Sequence, residues 1–63
     1  MKYLYTVRAL REIDTTTDTE VSASFIHNRG DITDKGAMRI AKRDELLDYA
    51  DRLSYVDCAC YVS

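Results

Sequence analysis

The chain has 63 residues, of which 46% are hydrophobic, and its 9 basic and 11 acidic residues give a formal net charge of -2. This length leaves room for a single domain, residues 1–63, and the hydrophobic content is too high for a disordered chain. The chain therefore has neither the excess of basic residues that is common in nucleic-acid-binding proteins nor the large excess of acidic residues found in proteins that imitate DNA.

The first 27 residues predict two strands joined by a turn. Over residues 2–13 hydrophobic and polar residues alternate, which is typical of a half-buried strand. Residues 14–19 contain no hydrophobic residue and favour a turn. Alternation resumes over residues 20–27, so the two strands are expected to pair antiparallel. Leu4 and Leu10 interrupt the polar face of the first strand, which indicates that a neighbour or a second copy covers part of that face.

The stretch from residue 28 to residue 43 fits two interpretations. Residues 28–31, Asn-Arg-Gly-Asp, predict a turn because Asn and Gly both tolerate positive φ. The hydrophobic residues between 37 and 41 have spacings that suit both a short strand and a helix. One helix beginning near Asp34 is the favoured prediction, and a third strand followed by a shorter helix is the alternative.

From Asp44 onward the pattern predicts a helix and then a final strand. Between Leu46 and Leu53, four hydrophobic residues recur at i, i+1, i+4 and i+7, and charged residues fill the rest of the helical wheel. Alternation over residues 56–62 predicts a strand. The expected fold class is therefore α+β with element order β-β-α-β, a small antiparallel sheet of three or four strands with one amphipathic helix packed on one face.

No group of residues indicates catalysis, a cofactor or a metal. Cys58 and Cys60 lie two residues apart in the last strand, roughly 6.6 Å, which disfavours a disulfide between them. We expect them to be reduced and buried on the core face. His27 is the only other soft metal ligand, whereas a closed zinc site needs four donors. No serine or cysteine stands at a recognisable nucleophile spacing from His27, so we expect no enzyme.

Three carboxylates and the tyrosines are candidates for a protein interface. On a helix, Asp44, Asp48 and Asp51 would lie along one edge, either as a solvated face or as an acidic stripe that docks on a basic groove of a partner. Tyrosine is enriched in surfaces that become buried on association, and the chain has five tyrosines against one phenylalanine. The candidate interface residues are Tyr3, Tyr5, Tyr49, Tyr55, Tyr61, Asp44, Asp48 and Asp51.

The basic residues supply an alternative, nucleic-acid-binding surface. Three of them share the first strand with Tyr3 and Tyr5, and such a mixture of cations and rings could stack on single-stranded RNA. The candidate residues of this alternative are Lys2, Arg8, Arg11, Arg39, Lys42 and Arg43.

The small core favours a protein that is completed by a partner. A core of this size contributes only about 3 to 5 kcal/mol of net stability, and an open last strand together with hydrophobic residues on both faces of the first favours association. We expect a non-enzymatic protein-binding module that forms a homodimer, with a small nucleic-acid-binding regulator as the alternative. Without a leader or a long hydrophobic run, the expected location is the cytoplasm, with no membrane contact.

The element order strand, strand, acidic helix, strand from Val21 to Val62 resembles the layout of small accessory proteins with which bacteriophages bind and disable host machinery. The small phage inhibitor of bacterial RNA polymerase is one example, and residues 45–50, Glu-Leu-Leu-Asp-Tyr-Ala, are similar in character to its helix. This resemblance of layout implies a modulator or inhibitor of a host protein in the bacterial cytoplasm, and it implies no particular binding residue.

Overall fold

The computed structural model describes residues 1–61, which form three strands and one helix. The strands are β1 (Lys2–Glu12), β2 (Asp18–His27) and β3 (Arg52–Tyr61), and the helix is α1 (Asp34–Arg43). β1 lies in the centre of the sheet and pairs antiparallel with both β2 and β3. The predicted α+β class and the order β-β-α-β are therefore confirmed. The predicted place of Val62 in the last strand lies outside the described residues.

The strand register gives the sheet two different faces. Tyr5 lies opposite Phe25 of β2 on the face that α1 covers, whereas Leu4 lies opposite Ile26 on the other side, the helix-free face. Between β1 and β3 the register shifts once, which leaves Ser54 as the extra residue of a bulge. Successive residues of a strand point to opposite faces, so this register decides which side chains α1 can bury.

The core lies between α1 and the covered face of the sheet, and it is thin. Its buried hydrophobic residues are Tyr5, Val7, Ala9, Ala23, Ala37, Met38, Ala41 and Leu47. Four of these eight are alanines, which remove little apolar area from water. The helix can therefore approach the sheet closely, but the stability gained from burial is small.

Local signals explain where α1 begins and ends. Thr33 is the N-cap, and its hydroxyl accepts a hydrogen bond from the backbone N–H of Gly36 at 3.1 Å. The helix ends because Glu45 adopts a φ of 61°. The N–H of Glu45 then donates to the carbonyl of Lys42 and the N–H of Leu46 to that of Ala41, which is the Schellman arrangement. The favoured prediction of a helix from Asp34 is confirmed.

The predicted helix from Asp44 to Leu53 is wrong. Residues 44–51 form turns, and β3 begins at Arg52. Contacts with distant residues override the helical spacing here: Leu47 is buried in the core, and Leu53 lies opposite Ala9 in the sheet. The segment that resembles the helix of the phage inhibitor is therefore not helical.

The prediction that Cys58 and Cys60 are buried is also wrong. Both lie on the covered face, opposite Tyr5 and Tyr3, but both are exposed and unbridged. β3 is an edge strand, and at the level of Cys58 burial is complete only on the central strand, where Tyr5 is fully buried, so this end of β3 lies open. Within residues 1–61 no helix is long and apolar enough to cross a membrane.

Candidate interaction surfaces

Tyr5 is part of the core and does not lie on a surface. Its ring is fully buried and stacks on Phe25 with 5.2 Å between ring centroids. Its hydroxyl donates to the backbone carbonyl of Arg29 and accepts from the backbone N–H of Ile32 at 3.3 Å. Burial raises the pKa of Tyr5, which keeps the hydroxyl protonated. Tyr5 therefore ties the segment after β2 to the sheet, and the sequence-based proposal that it contacts a partner is wrong.

The other four tyrosines are divided among three places. Tyr3 lies half-buried on the covered face, where a Cβ added to Gly30 would approach its ring to 2.7 Å. Tyr55 and Tyr61 lie on the helix-free face of β3. Tyr49 lies in the turns after α1, and 89% of its surface is exposed. The candidate tyrosines therefore do not share one surface.

The three candidate carboxylates do not form a helical stripe. Asp44 is exposed beside Arg43, and Asp48 is exposed in a turn. Asp51 is buried, and its carboxylate accepts two hydrogen bonds from the Arg11 guanidinium, at 2.9 and 2.8 Å, and one from the backbone N–H of Asp48 at 2.8 Å. The hydrogen bonds from Arg11 are the main reason that the pKa of Asp51 lies below its ordinary value. The hydrogen bond from the Asp48 N–H lowers the pKa further, whereas burial raises it. Asp51 is thus a structural residue.

The structure separates the six basic residues of the nucleic-acid alternative. Lys2 and Arg8 lie on the helix-free face, where Arg8 pairs with Glu20 at 3.3 Å and its guanidinium lies 5.8 Å from the centre of the Tyr55 ring. Arg11 is held by Asp51. The remaining members, Arg39, Lys42 and Arg43, lie together on α1.

The helix-free face carries an apolar patch, which we define as Leu4, Ile26, Ala59 and Tyr61. Leu4 of β1 lies directly between Ile26 of β2 and Ala59 of β3, and Tyr61 follows two residues along β3. Ile26 is 47% exposed and Tyr61 is 39% exposed. Hydrophobic side chains from all three strands therefore lie side by side in water.

A second feature lies on α1, and we call it the cationic groove. It is an open pocket of about 530 Å³ lined by Lys35, Met38, Arg39, Lys42, Arg43 and Tyr49. The ammonium of Lys42 lies 5.9 Å from the centre of the Tyr49 ring. Lys35 was missed by the sequence-based candidate list, although its spacing of i, i+4 and i+8 with Arg39 and Arg43 would have placed it on the same side of a helix.

Within residues 1–61 no group of three or more His, Cys, Asp or Glu side chains could hold a metal ion. Comparisons with known proteins give no assignment either: no protein-family model, no curated protein and no solved structure matches the chain. The two surface features described above are therefore the starting point for a functional proposal.

Proposed function

We propose that the chain is a non-enzymatic protein–protein interaction module and that its helix-free face binds a second copy of the chain. The observation that supports the proposal is the apolar patch, where three neighbouring strands expose hydrophobic side chains together. Contiguous patches of this kind mark interaction surfaces. The thin core supplies a reason for association, because covering the patch adds burial that the isolated chain lacks.

Charge complementarity favours a second copy as the occupant. Within residues 1–61, Lys2 and Asp57 make no ion pair, and they lie on the helix-free face on opposite sides of Leu4 along the strands. A two-fold axis that passes through Leu4 perpendicular to the strands and parallel to the sheet places Leu4, Ile26 and Ala59 on their copies. It also brings Lys2 of one chain diagonally across from Asp57 of the other. An isologous contact of this kind closes as a dimer.

The size of the face predicts a weak dimer. Three strands spaced about 4.8 Å apart and ten residues long give a footprint of roughly 33 by 14 Å, or about 460 Å² per copy. This lies below the area of about 800 Å² per partner in standard interfaces. We therefore expect a dissociation constant in the micromolar range and exchange between monomer and dimer.

Sedimentation equilibrium over a concentration series tests the proposal. Ile26→Glu should abolish the dimer, because it buries a charge in the patch. Leu46→Glu is the matched control, since Leu46 is 44% exposed in the turns after α1, away from the sheet face. Lys2→Glu or Asp57→Lys should each weaken the dimer, and the double variant should restore it. A chain that stays monomeric at millimolar concentration, or a dimer that Ile26→Glu leaves intact, would contradict the proposal.

The resemblance of layout adds a proposal about context, namely that the module modulates or inhibits a protein of a bacterial host in its cytoplasm. The acidic helix of the resemblance is not formed, so the remaining support is the order of the elements and the exposed patch, which a host protein could occupy in place of the second copy. Expression of the chain in bacteria should slow growth, and Ile26→Glu should abolish the effect while Leu46→Glu should not. Growth that is unaffected by the unmodified chain would argue against an inhibitor.

A further inference from the structure

The distribution of ion pairs sets the cationic groove apart from the rest of the surface. The chain has 9 basic residues, and five arginines form ion pairs with carboxylates. Within residues 1–61 this leaves four cations without an ion-pair partner: Lys2, Lys35, Arg39 and Lys42. Three of the four line the groove, so a protein of net charge -2 concentrates its uncompensated positive charge in one place.

Helical geometry explains the arrangement. Lys35, Arg39, Lys42 and Arg43 recur at i, i+4, i+7 and i+8 on α1, so their side chains lie along one side of the helix over about 12 Å. Arg43 also contacts the carboxylate of Asp44 at 3.2 Å, but both side chains are largely exposed and the pair is weakly held. The helix therefore presents a row of cations to solvent.

Tyr49 adds a recognition element that a simple anion site does not need. Its ring lies at the end of this row, next to the Lys42 ammonium, and is almost completely exposed. A flat exposed ring beside a row of cations is the combination with which proteins bind single-stranded nucleic acid, since the cations follow the phosphates and the ring stacks on an unpaired base. An acidic peptide without aromatic residues would use the cations but would leave the ring without a stacking partner.

We propose that the cationic groove binds a short segment of single-stranded nucleic acid, with a base stacked on Tyr49 and phosphates bound by Lys35, Arg39 and Lys42. This site lies on α1, on the opposite side of the sheet from the helix-free face. The proposal goes beyond the protein-binding function and does not depend on it, so either can fail without the other.

Fluorescence anisotropy with labelled dodecamers of deoxythymidine and of uridine tests the site. At low salt both should bind, and the logarithm of the association constant should fall with the logarithm of salt concentration with a slope of about -2 to -3, as expected for three or four phosphate contacts. Arg39→Gln and Lys42→Gln should each weaken binding and reduce the slope by about 0.7. Arg29→Gln, which removes an exposed cation that lies outside both the groove and the helix-free face, should leave the slope unchanged.

Stacking is tested separately at Tyr49. Tyr49→Ala should weaken binding roughly five-fold or more, whereas Tyr49→Phe should retain it, because a benzene ring still stacks. A duplex of the same length should bind more weakly than either single strand, and inorganic polyphosphate should compete poorly.

Three results would overturn the proposal. The first is the absence of oligonucleotide binding at low salt, and the second is binding that survives Arg39→Gln and Lys42→Gln. The third is a groove that binds polyphosphate or an aspartate peptide as well as the oligonucleotides and is insensitive to Tyr49→Ala. All substituted side chains are on the surface, and far-ultraviolet circular dichroism would verify that each variant is folded.

Discussion

The ion pair between Arg11 and Asp51 fastens β1 to the start of β3, and Asp51→Ala should be strongly destabilising. The substitution removes a buried carboxylate that accepts three hydrogen bonds, two from Arg11 and one from the backbone N–H of Asp48. Hydrogen bonds to charged groups contribute about 1.5 to 3 kcal/mol each. Because 43% of the Arg11 side chain is exposed, solvent replaces part of that contribution. We expect the free energy of unfolding to fall by about 2 to 4 kcal/mol, most of what a core this small provides.

The pH dependence of this contribution follows from the lowered pKa of Asp51. Aspartate titrates near 3.9 in an unfolded chain, so the contribution is fully present above that value and is lost as the pH falls through the lower pKa of the folded protein. Asp14 and Asp31 also have lowered pKa values, Asp14 through hydrogen bonds from Thr16 and Asp31 through its contact with Arg29. The informative quantity is therefore the difference in stability between the unmodified chain and Asp51→Asn.

Urea unfolding followed by circular dichroism between pH 3 and pH 7 measures this difference. It should be constant above about pH 5 and shrink below about pH 4. Asp48→Asn is the control, because the Asp48 side chain is exposed and only its backbone contacts Asp51. A difference that does not vary with pH, or a loss below about 1 kcal/mol for Asp51→Ala, would refute the assignment of a buried ion pair.

Three further substitutions or reactions probe other parts of the fold. Tyr5→Phe should lower the urea midpoint, because two backbone groups of the segment after β2 lose their partner, and an unchanged midpoint would show that this hydrogen bonding is dispensable. Glu45→Gly should raise the free energy of unfolding by about 0.5 to 1 kcal/mol, because glycine adopts positive φ without strain. The control Asp44→Gly should lower the free energy of unfolding. Differential scanning calorimetry of both variants measures the two changes. Cys58 and Cys60 should both react rapidly with a thiol reagent in the native protein, and slow reaction that needs denaturant would show that they are covered.

The strands were predicted well because the alternation of hydrophobic and polar residues is a local pattern that matches the two faces of each strand in the sheet. The pairing of the first two strands follows from two alternating segments and one polar turn, although β2 begins two residues before the predicted residue 20, and α1 begins at the predicted Asp34. The end of α1 could not be predicted in this way. Helices commonly end at a glycine with positive φ, but here that conformation is adopted by Glu45, a residue that gives no stop signal in the sequence.

The surfaces could be predicted only in part, because exposure depends on residues far away in the chain. The local sequence around Asp51 predicts a solvated carboxylate, because its partner Arg11 lies 40 residues earlier in the chain. Cys58 and Tyr5 lie opposite each other on one face, yet Tyr5 of the central strand is fully buried whereas Cys58 of the edge strand is exposed. The row of cations on α1 could be predicted from the helical spacing of the basic residues alone. The position of Tyr49 beside this row could not, because it depends on the turns that replace the predicted second part of the helix.

The central position of β1 has a consequence for synthesis of the chain. β1 is made first, but its second neighbour, β3, follows about 40 residues later along the chain, with Arg11 and Asp51 among the residues that must meet. Until β3 has left the ribosome, the middle strand exposes a backbone edge that another nascent chain could occupy. Exchange of the last strand between two chains made on the same messenger is therefore the error to which this topology is most open.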